Sequence, residues 1–450
     1  MRKIYGLLTI TLVISTHTFG QENKDQGTFS GGLESTSQWY QSDKDLGFDK
    51  PSDAFRSNNY LRLDYTKGKF SAGLQYEAYL PNALLGYSDR FNDNKIANYY
   101  VNYKGEDIEI TAGSFYEQFG SGMILRSWED RQIGINNAIR GVRVAYNPND
   151  FTTIKGLIGK PRLGFETTEG SVTGIDIETN ISRLINKENY SNAITLGLSY
   201  VGQYEKYTGA IQDFPENSSN YSFRLGYNGM SGIYADAEFV YKGEQAAFHS
   251  GVPSEKFYDG SGFQMNLGYS TRGFGINTTF RRMENMGMYA QRDLSEAAAN
   301  VFNEGIVNYL PAITRQHDYL LTNIYVYQAQ PHLNFDKQEV GEIGGQIDIF
   351  YNIPKGSMLG GQYGTKIALN GSYWNGLNPE FNAAGDEYET EFLDFGKKFF
   401  HDVNFEISKR WSSKFSSIFT YMHQFYNKGI VEGGNYSHII ANVVVGDFLY

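Results

Sequence analysis

Alternation with a period of two recurs along almost the whole chain, and no other feature restricts its fold as much. Between Ile233 and Lys242 one row reads Ile233, Ala235, Ala237, Phe239 and Tyr241, while the interleaved row reads Tyr234, Asp236, Glu238, Val240 and Lys242. Ile175, Ile177 and Ile181 interleave with Asp176, Glu178 and Asn180. Tyr221, Phe223, Leu225 and Tyr227 do so with Ser222, Arg224 and Gly226, and Val403, Phe405 and Ile407 with Asn404, Glu406 and Ser408. Successive side chains on a strand point to opposite faces, so every such segment has one oily surface and one wet surface.

Two all-β architectures satisfy this pattern. A soluble sandwich buries the oily face, whereas a transmembrane barrel turns it to lipid and keeps the polar face inside. The segments favour the barrel because they are mostly long enough to cross a bilayer at a tilt. Aromatic pairs such as Trp39-Tyr40, Tyr99-Tyr100 and Phe399-Phe400 fall near segment ends, as interfacial girdles do. The connections also alternate in length. Tight turns fall at 66–69, 104–107, 147–150, 228–231, 271–273 and 411–414. Long polar loops fall at about 42–53, 81–94, 118–137, 160–170, 205–219, 243–260, 285–317 and 375–396. Short periplasmic turns with long extracellular loops are the signature of outer-membrane barrels. The fold class is therefore a transmembrane antiparallel β-barrel of about 18 strands (range roughly 16–22) with both ends periplasmic. Asp318 to Gln328 also alternates, and counting it makes the total odd. The sequence places it inside a long excursion at 285–340, together with a helix-like piece from Leu294 to Phe302.

The first twenty residues are an address. Arg2 and Lys3 precede a short apolar run from Leu7 to Ser15, and Thr18-Phe19-Gly20 supplies small residues before an expected cut at Gln21. Nine apolar residues span about 14 Å as a helix, too little to cross a membrane. The expected organisation is a cleaved signal peptide at 1–20 and a single barrel domain at 21–450, located in the outer membrane of a Gram-negative cell.

Composition excludes several functions. There is no Cys, hence no disulfide framework, no thiolate metal site and no lipid-bearing Cys. A sequence pI of about 5.2, with Asp plus Glu at 50 against Lys plus Arg at 39, argues against nucleic acid as a partner. His17, His249, His317, His332, His401, His423 and His438 are scattered without ligand spacing, so neither a metal nor another cofactor is expected. No GxSxG elbow is present, and an enzyme is not expected. The remote alternative, a barrel hydrolase, would have to use His317-Asp318, or His423 with Ser416 or Ser417.

One segment concentrates charge. Within 114–143, Glu117, Glu129 and Asp130 sit among Arg126, Arg131, Arg140 and Arg143, with Gly120 and Gly122 permitting close turns. Three readings remain open: charges that pair to hold a loop down, a pore constriction set by opposed charges, and a partner-binding surface. This segment also resembles an uncharacterised outer-membrane barrel family of Bacteroidetes-type bacteria, a domain of unknown function. The resemblance covers most of the mature chain. It rests on the stretches Phe55 to Leu61, Tyr116 to Gly122, Trp128 to Arg131 and Leu359 to Thr365. It implies a barrel but no activity and no catalytic residues. Members of that family run longer, which implies a C-terminal part beyond Tyr450. The layout around the Arg/Glu loop is more loosely similar to specific porins for sugars or anions.

By alternation the lumen-facing candidates are Arg62, Asp64, Glu77, Glu109, Asp176, Glu178, Arg224, Asp236, Glu238 and Glu406, with Glu117 and Arg143 beside them. The functional expectation is a porin-like passive channel for small hydrophilic solutes. The alternative is a closed structural, adhesion or secretion-accessory barrel that holds a partner through its long loops. Expected partners are outer-membrane lipid and lipopolysaccharide, the barrel-assembly machinery during biogenesis, and a small solute.

Overall fold

The alternating segments are strands in the computed structural model. It describes residues 27–449 apart from 46, 133, 186–191, 210, 250–251, 292–304, 316–324, 336 and 433–436. The signal segment and the helix-like piece at 294–302 lie outside the described residues, as does most of 318–328. The described end of that last stretch, Tyr325 to Gln328, is not strand. The fold is all-β, a 19-stranded antiparallel sheet of the transmembrane-barrel class. Eighteen of its strands have eight or more residues, and the short strand Glu166–Thr167 completes the count. No helix among the described residues is long and apolar enough to cross a membrane. The chain divides into two compact units, Met1–Ser114 and Phe115–Tyr450.

The first unit is a run of hairpins: β1 (Thr28–Trp39), β2 (Phe55–Lys67), β3 (Phe70–Leu80), β4 (Asn94–Lys104) and β5 (Ile108–Phe115). The β2–β3 turn needs Gly68 at φ +56°, a left-handed conformation that costs a residue with a Cβ about 1–2 kcal/mol. Register sets the faces. Tyr60 lies opposite Glu77, Arg62 opposite Gln75 and Asp64 opposite Gly73, so one face is polar. The other face presents Ile96, Tyr99 and Val101, each at least half exposed.

The second unit continues with β6 (Ile139–Asn149), β7 (Thr152–Leu163), β8 (Ser171–Asn180), β9 (Asn192–Tyr204) and β10 (Asn217–Gly229). Then follow β11 (Ile233–His249), β12 (Val252–Thr271), β13 (Phe274–Glu284), β14 (Gly341–Ile353) and β15 (Thr365–Leu377). β16 (Phe395–Arg410), β17 (Ser416–Asn427) and β18 (His438–Leu449) end it. One expectation is corrected here. The stretch 243–260 is not a loop, because β11 and β12 stay paired through two register shifts as far as His249 opposite Val252. Its polar composition reads as loop, yet Gln245 is buried in hydrogen bonds to Gln203 and Ser218, and the two register shifts hide the alternation of the strands.

The polarity of this unit is inverted relative to a water-soluble sheet. Phe223 and Phe239 are neighbours on one face and stand about half exposed, while Asp176 and Glu238 on the other face are 4% exposed. Leaving rows of Leu, Ile and Phe in water forfeits roughly 1.5–3 kcal/mol per side chain, so the exposed apolar face belongs in lipid. The buried apolar residues lie on the opposite, inner face. There Val172, Val201 and Val240 of the walls cluster with Phe119, Met123, Ile124 and Leu125 from the 116–138 connection. Met286, Met288 and Val307 from the 285–340 connection complete the cluster.

Candidate functional site

Both long connections therefore fold inward against the sheet, for reasons visible in their residues. The 116–138 segment makes two tiny ladders, Gln118–Phe119 with Leu125–Arg126 and Glu129–Asp130 with Ile135–Asn136. The first closes through Gly120 and Gly122, both at positive φ. Its tip, Met123 to Leu125, is fully buried. The 285–340 segment lies alongside: the Arg126 N–H donates to the Val307 carbonyl at 2.9 Å, and the Tyr309 N–H to the Arg126 carbonyl at 3.2 Å. Asn308 stitches the two together. Its Nδ2 donates to the carbonyls of Met123 (2.9 Å) and Met286 (2.6 Å), while its Oδ1 accepts from the Met288 N–H (3.1 Å). Asn137 adds donations to the carbonyls of Arg126 and Ile306.

The excursion then crosses to other walls of the same unit. Tyr327 packs with Trp374, Phe400 and Tyr426, and the Trp374 Nε1 donates to the Ile313 carbonyl at 3.2 Å. A buried ion pair fixes this passage. Arg281 on β13 meets Glu342 on β14 at 2.9 Å. Glu342 also accepts from the Tyr327 hydroxyl (2.5 Å) and the Gln330 N–H (2.8 Å). Lys242, fully buried, donates to Asn285 Oδ1 (3.0 Å) and the Gly287 carbonyl (3.2 Å). Nearby, Tyr289 stacks on His332 with ring centroids 5.8 Å apart. Burial, then the Lys242 ammonium, pushes the His332 imidazole down to about 4, so it is neutral at ordinary pH.

The charged residues singled out from the sequence fall into separate groups. Glu117 receives Arg143 Nε at 2.5 Å and Lys155 Nζ at 2.9 Å, which anchors the start of the infolded segment to β6 and β7. Burial raises its carboxyl, but the two cationic donors outweigh that and hold it below the usual range. Glu129 and Arg131 pair with each other at 3.1 Å, and Asp130 accepts from the Gln132 N–H. The Arg126 guanidinium stacks over Trp128, 4.3 Å from the ring centroid. Arg140 requires a correction, because it lies three residues from Arg143 and strands alternate. It sits opposite Lys160 on the outward row that carries Val142 and Ile158, so it is not in the lumen.

A second cluster lies deeper on the inner face. Arg224 Nη2 meets Asp176 Oδ1 at 2.5 Å, its Nη1 donates to Ser199 Oγ at 2.6 Å, and Glu238 lies 3.9 Å away. Glu238 accepts from Ser222 Oγ (2.6 Å) and from the Ser121 N–H (2.7 Å), so the tip of the infolded segment rests on the wall cluster. Gly120 permits this approach, since a Cβ there would come within 2.6 Å of Arg224 Cδ and of Glu238. An open cavity of about 320 Å³ lies beside this contact, lined by Glu178, Asp236, Glu238, Arg224, Gln264 and Asn266 among others. Asp236 accepts from Asn266 at 2.7 Å, and Glu406 meets Arg315 at 3.4 Å.

On the polar face of the first unit, Arg62 pairs with Asp64 at 2.7 Å, and Tyr100 donates to Asp64 at 2.8 Å. Glu77 accepts from Gln75 and Tyr79, and Glu109 from Asn102. Sequence reasoning missed Lys155, Arg281, Lys242, Glu342 and Asn308. The first four occupy inward positions of alternating strands and were open to the same reading as Glu238. Asn308 lies in a stretch without periodicity, so no signal marks it.

Among the described residues, the hydrolase candidates Ser416 and Ser417 do not meet His423. Ser417 and His423 lie six residues apart on β17, about 20 Å at strand rise, and Ser417 accepts from the Trp411 indole. His317 lies outside the described residues. No group of three or more His, Asp or Glu placed to hold a metal occurs among the described residues.

A family profile described as a family of unknown function (DUF6029) matches residues 1–450. Among curated proteins, none matches the chain in sequence. Similar solved structures include Pseudomonas aeruginosa OccK5 (OpdH), at 10% identity and a TM-score of 0.42, covering 94% of this chain and 96% of that one. The outer-membrane protein OpdK of the same organism is 11% identical with a TM-score of 0.44, covering 94% and 98%. P. aeruginosa OccK2 (OpdF), solved in complex with glucuronate, is 10% identical with a TM-score of 0.40, covering 94% and 95%. These scores are low, and no property of those proteins passes to this chain through them.

Proposed function

Because the chain belongs to this DUF6029 family, whose description carries no activity, we propose from its own residues that it is an outer-membrane barrel working as a narrow passive channel for small hydrophilic solutes. The observation that carries the reading is the charged cavity beside the Gly120–Ser121 turn. It sets Arg224, which also holds Asp176, against Glu238, with a carboxylate excess from Glu178 and Asp236. Opposed charges at a narrowing set size and charge selectivity, and fixed donors and acceptors replace part of a solute's hydration as it passes. The two infolded segments narrow the path, so the expected conductance is small. Export rests on the signal-like residues Arg2 to Gly20.

A second reading is favoured by a different observation. The apolar cluster joining both infolded segments to Val172, Val201 and Val240 excludes water wherever it reaches, as a closed barrel requires. Planar-bilayer recording of the purified protein separates the two. Small, reproducible currents whose ion selectivity shifts in Arg224→Ala and Arg131→Ala support the channel. A folded barrel that passes no current belongs to the closed reading.

A further inference from the structure

The outward face of β15 to β18 departs from the apolar rule at its extracellular end. Lys398 Nζ sits 4.5 Å from the Phe425 ring centroid and 5.4 Å from that of Tyr373. His401 stacks between the same two rings, at 6.3 Å and 10° to Tyr373 and at 5.8 Å and 23° to Phe425. His438, the first residue of β18, stacks on the far side of Phe425 at 5.5 Å. Register confirms the shared face: Tyr373 lies opposite His401, His401 opposite Phe425, and Phe425 opposite Ile440. Elsewhere this face carries rows such as Ile175, Leu198, Phe223 and Phe239.

Such a group must meet something in the outer leaflet. An ammonium and imidazoles held against acyl chains alone would lose hydration without compensation. Aromatic rings hold the Lys398 head at a fixed height, as an interfacial belt does, and leave its remaining N–H donors free to point outward. Toward the periplasm on the same face, the next row is Val403, His423 and Asn442, with His423 5.1 Å from His401 between ring centroids, and the row after it is Phe405, Tyr421 and Val444. The order along the strands is therefore one ammonium with imidazole nitrogens above, a mixed row of Val403, His423 and Asn442, and then Phe405, Tyr421 and Val444 below. That order complements an amphiphile with a phosphate head and hydrocarbon tails.

We propose that Lys398, His401 and His438 form a binding site for the phosphate of an outer-leaflet glycolipid, lipopolysaccharide in a Gram-negative membrane. The site lies wholly on the lipid-facing surface, so it stands whether or not the barrel conducts. A juxtamembrane cation contributes affinity on the order of a fivefold factor at an anionic surface.

The test uses the full chain purified in detergent, with binding measured against lipopolysaccharide, phosphatase-treated lipopolysaccharide and inorganic phosphate. Heat-modifiable gel mobility certifies that each variant is folded. Intact lipopolysaccharide is expected to bind about fivefold more weakly to Lys398→Gln and again to the Lys398→Gln/His438→Gln double variant, with Lys398→Arg restoring affinity. The phosphatase-treated lipid is expected to bind wild type as weakly as the double variant. Equal binding of the treated and intact lipids to wild type overturns the proposal, and this arm needs no variant to fold. Unchanged affinity in a folded double variant overturns it as well. Inorganic phosphate that binds wild type as tightly as the intact lipid would overturn the lipid as occupant.

Discussion

Replacing Asn308 with Ala tests whether the two infolded segments obstruct the lumen as one unit. Asn308 is 1% exposed and makes three hydrogen bonds, one to the Met123 carbonyl of the other segment, and one to the Met286 carbonyl and one from the Met288 N–H within its own. Its removal leaves two carbonyls and one N–H unpaired among Met123, Met286 and Met288, all fully buried. An unsatisfied buried group costs about 1–3 kcal/mol. Only the Met123 bond crosses between the segments, so their pairing weakens by about 1–3 kcal/mol, a factor on the order of 10. The backbone bonds between Arg126 and Val307 and between Tyr309 and Arg126 remain, so the barrel itself should fold. Two readouts follow. Hydrogen exchange at the Arg126 and Tyr309 amides should accelerate by about one decade, and wide openings in planar-bilayer recordings should become about ten times more frequent. Faster exchange with an unchanged current trace would mean that the segments do not stand in the conducting path. Unchanged exchange would refute the stitch itself.

Three further outcomes are expected. Gly120→Val places side-chain atoms against Arg224 and Glu238 at a φ of +54°, so the Ser121 N–H should leave Glu238 and the ion selectivity of the current should shift, measured as reversal potential. Glu342→Gln strips the charge partner from buried Arg281 and should cost about 3–5 kcal/mol in urea unfolding, whereas Arg281→Met/Glu342→Met should cost clearly less; equal losses would refute a paired charge. The His332 imidazole is pushed from an ordinary value near about 6.5 down to about 4. The unfolded chain therefore takes up that proton first, and stability present above the ordinary value is lost as pH falls toward 4. Near pH 5 the loss is about 2 kcal/mol, and His332→Gln should flatten the pH dependence of the denaturation midpoint.

The walls were legible because lipid on one side and water on the other impose a strict period. Each of the eighteen long strands falls where alternation places one, and turns such as Thr66 to Lys69 fall where Gly68 can take its left-handed conformation. The upper part of the β11–β12 hairpin was not legible, because the register shifts between Lys242 and Gln245 and between Ala246 and Phe248 break the period of two. The 285–340 excursion was illegible for a different reason. It is held by carbonyl-to-amide stitches at Asn308 and by stacked rings at Tyr327, and neither has a spacing in sequence. Arg140 was grouped with the constriction candidates by proximity in sequence, where strand parity already separates it from Arg143.

The position of the infolded segments was nevertheless written into the walls, as exceptions to their own rule. In the wet row Tyr234, Asp236, Glu238, Val240, Lys242, the valine is out of place if the inner face meets only water. Val172, four residues above Asp176 on the same row, and Val201, two residues above Ser199, are the same kind of exception on β8 and β9. All three are fully buried in one cluster with Met123 to Leu125 and lie toward the extracellular ends of their strands, while the acidic residues lie below them. Burying each is worth roughly 1.5–3 kcal/mol only if an apolar partner reaches it. An apolar residue interrupting the wet row therefore marks the height at which a connection returns to the wall, and below it Glu178 and Asp236 remain in contact with solvent while Asp176 and Glu238 are buried beside Arg224.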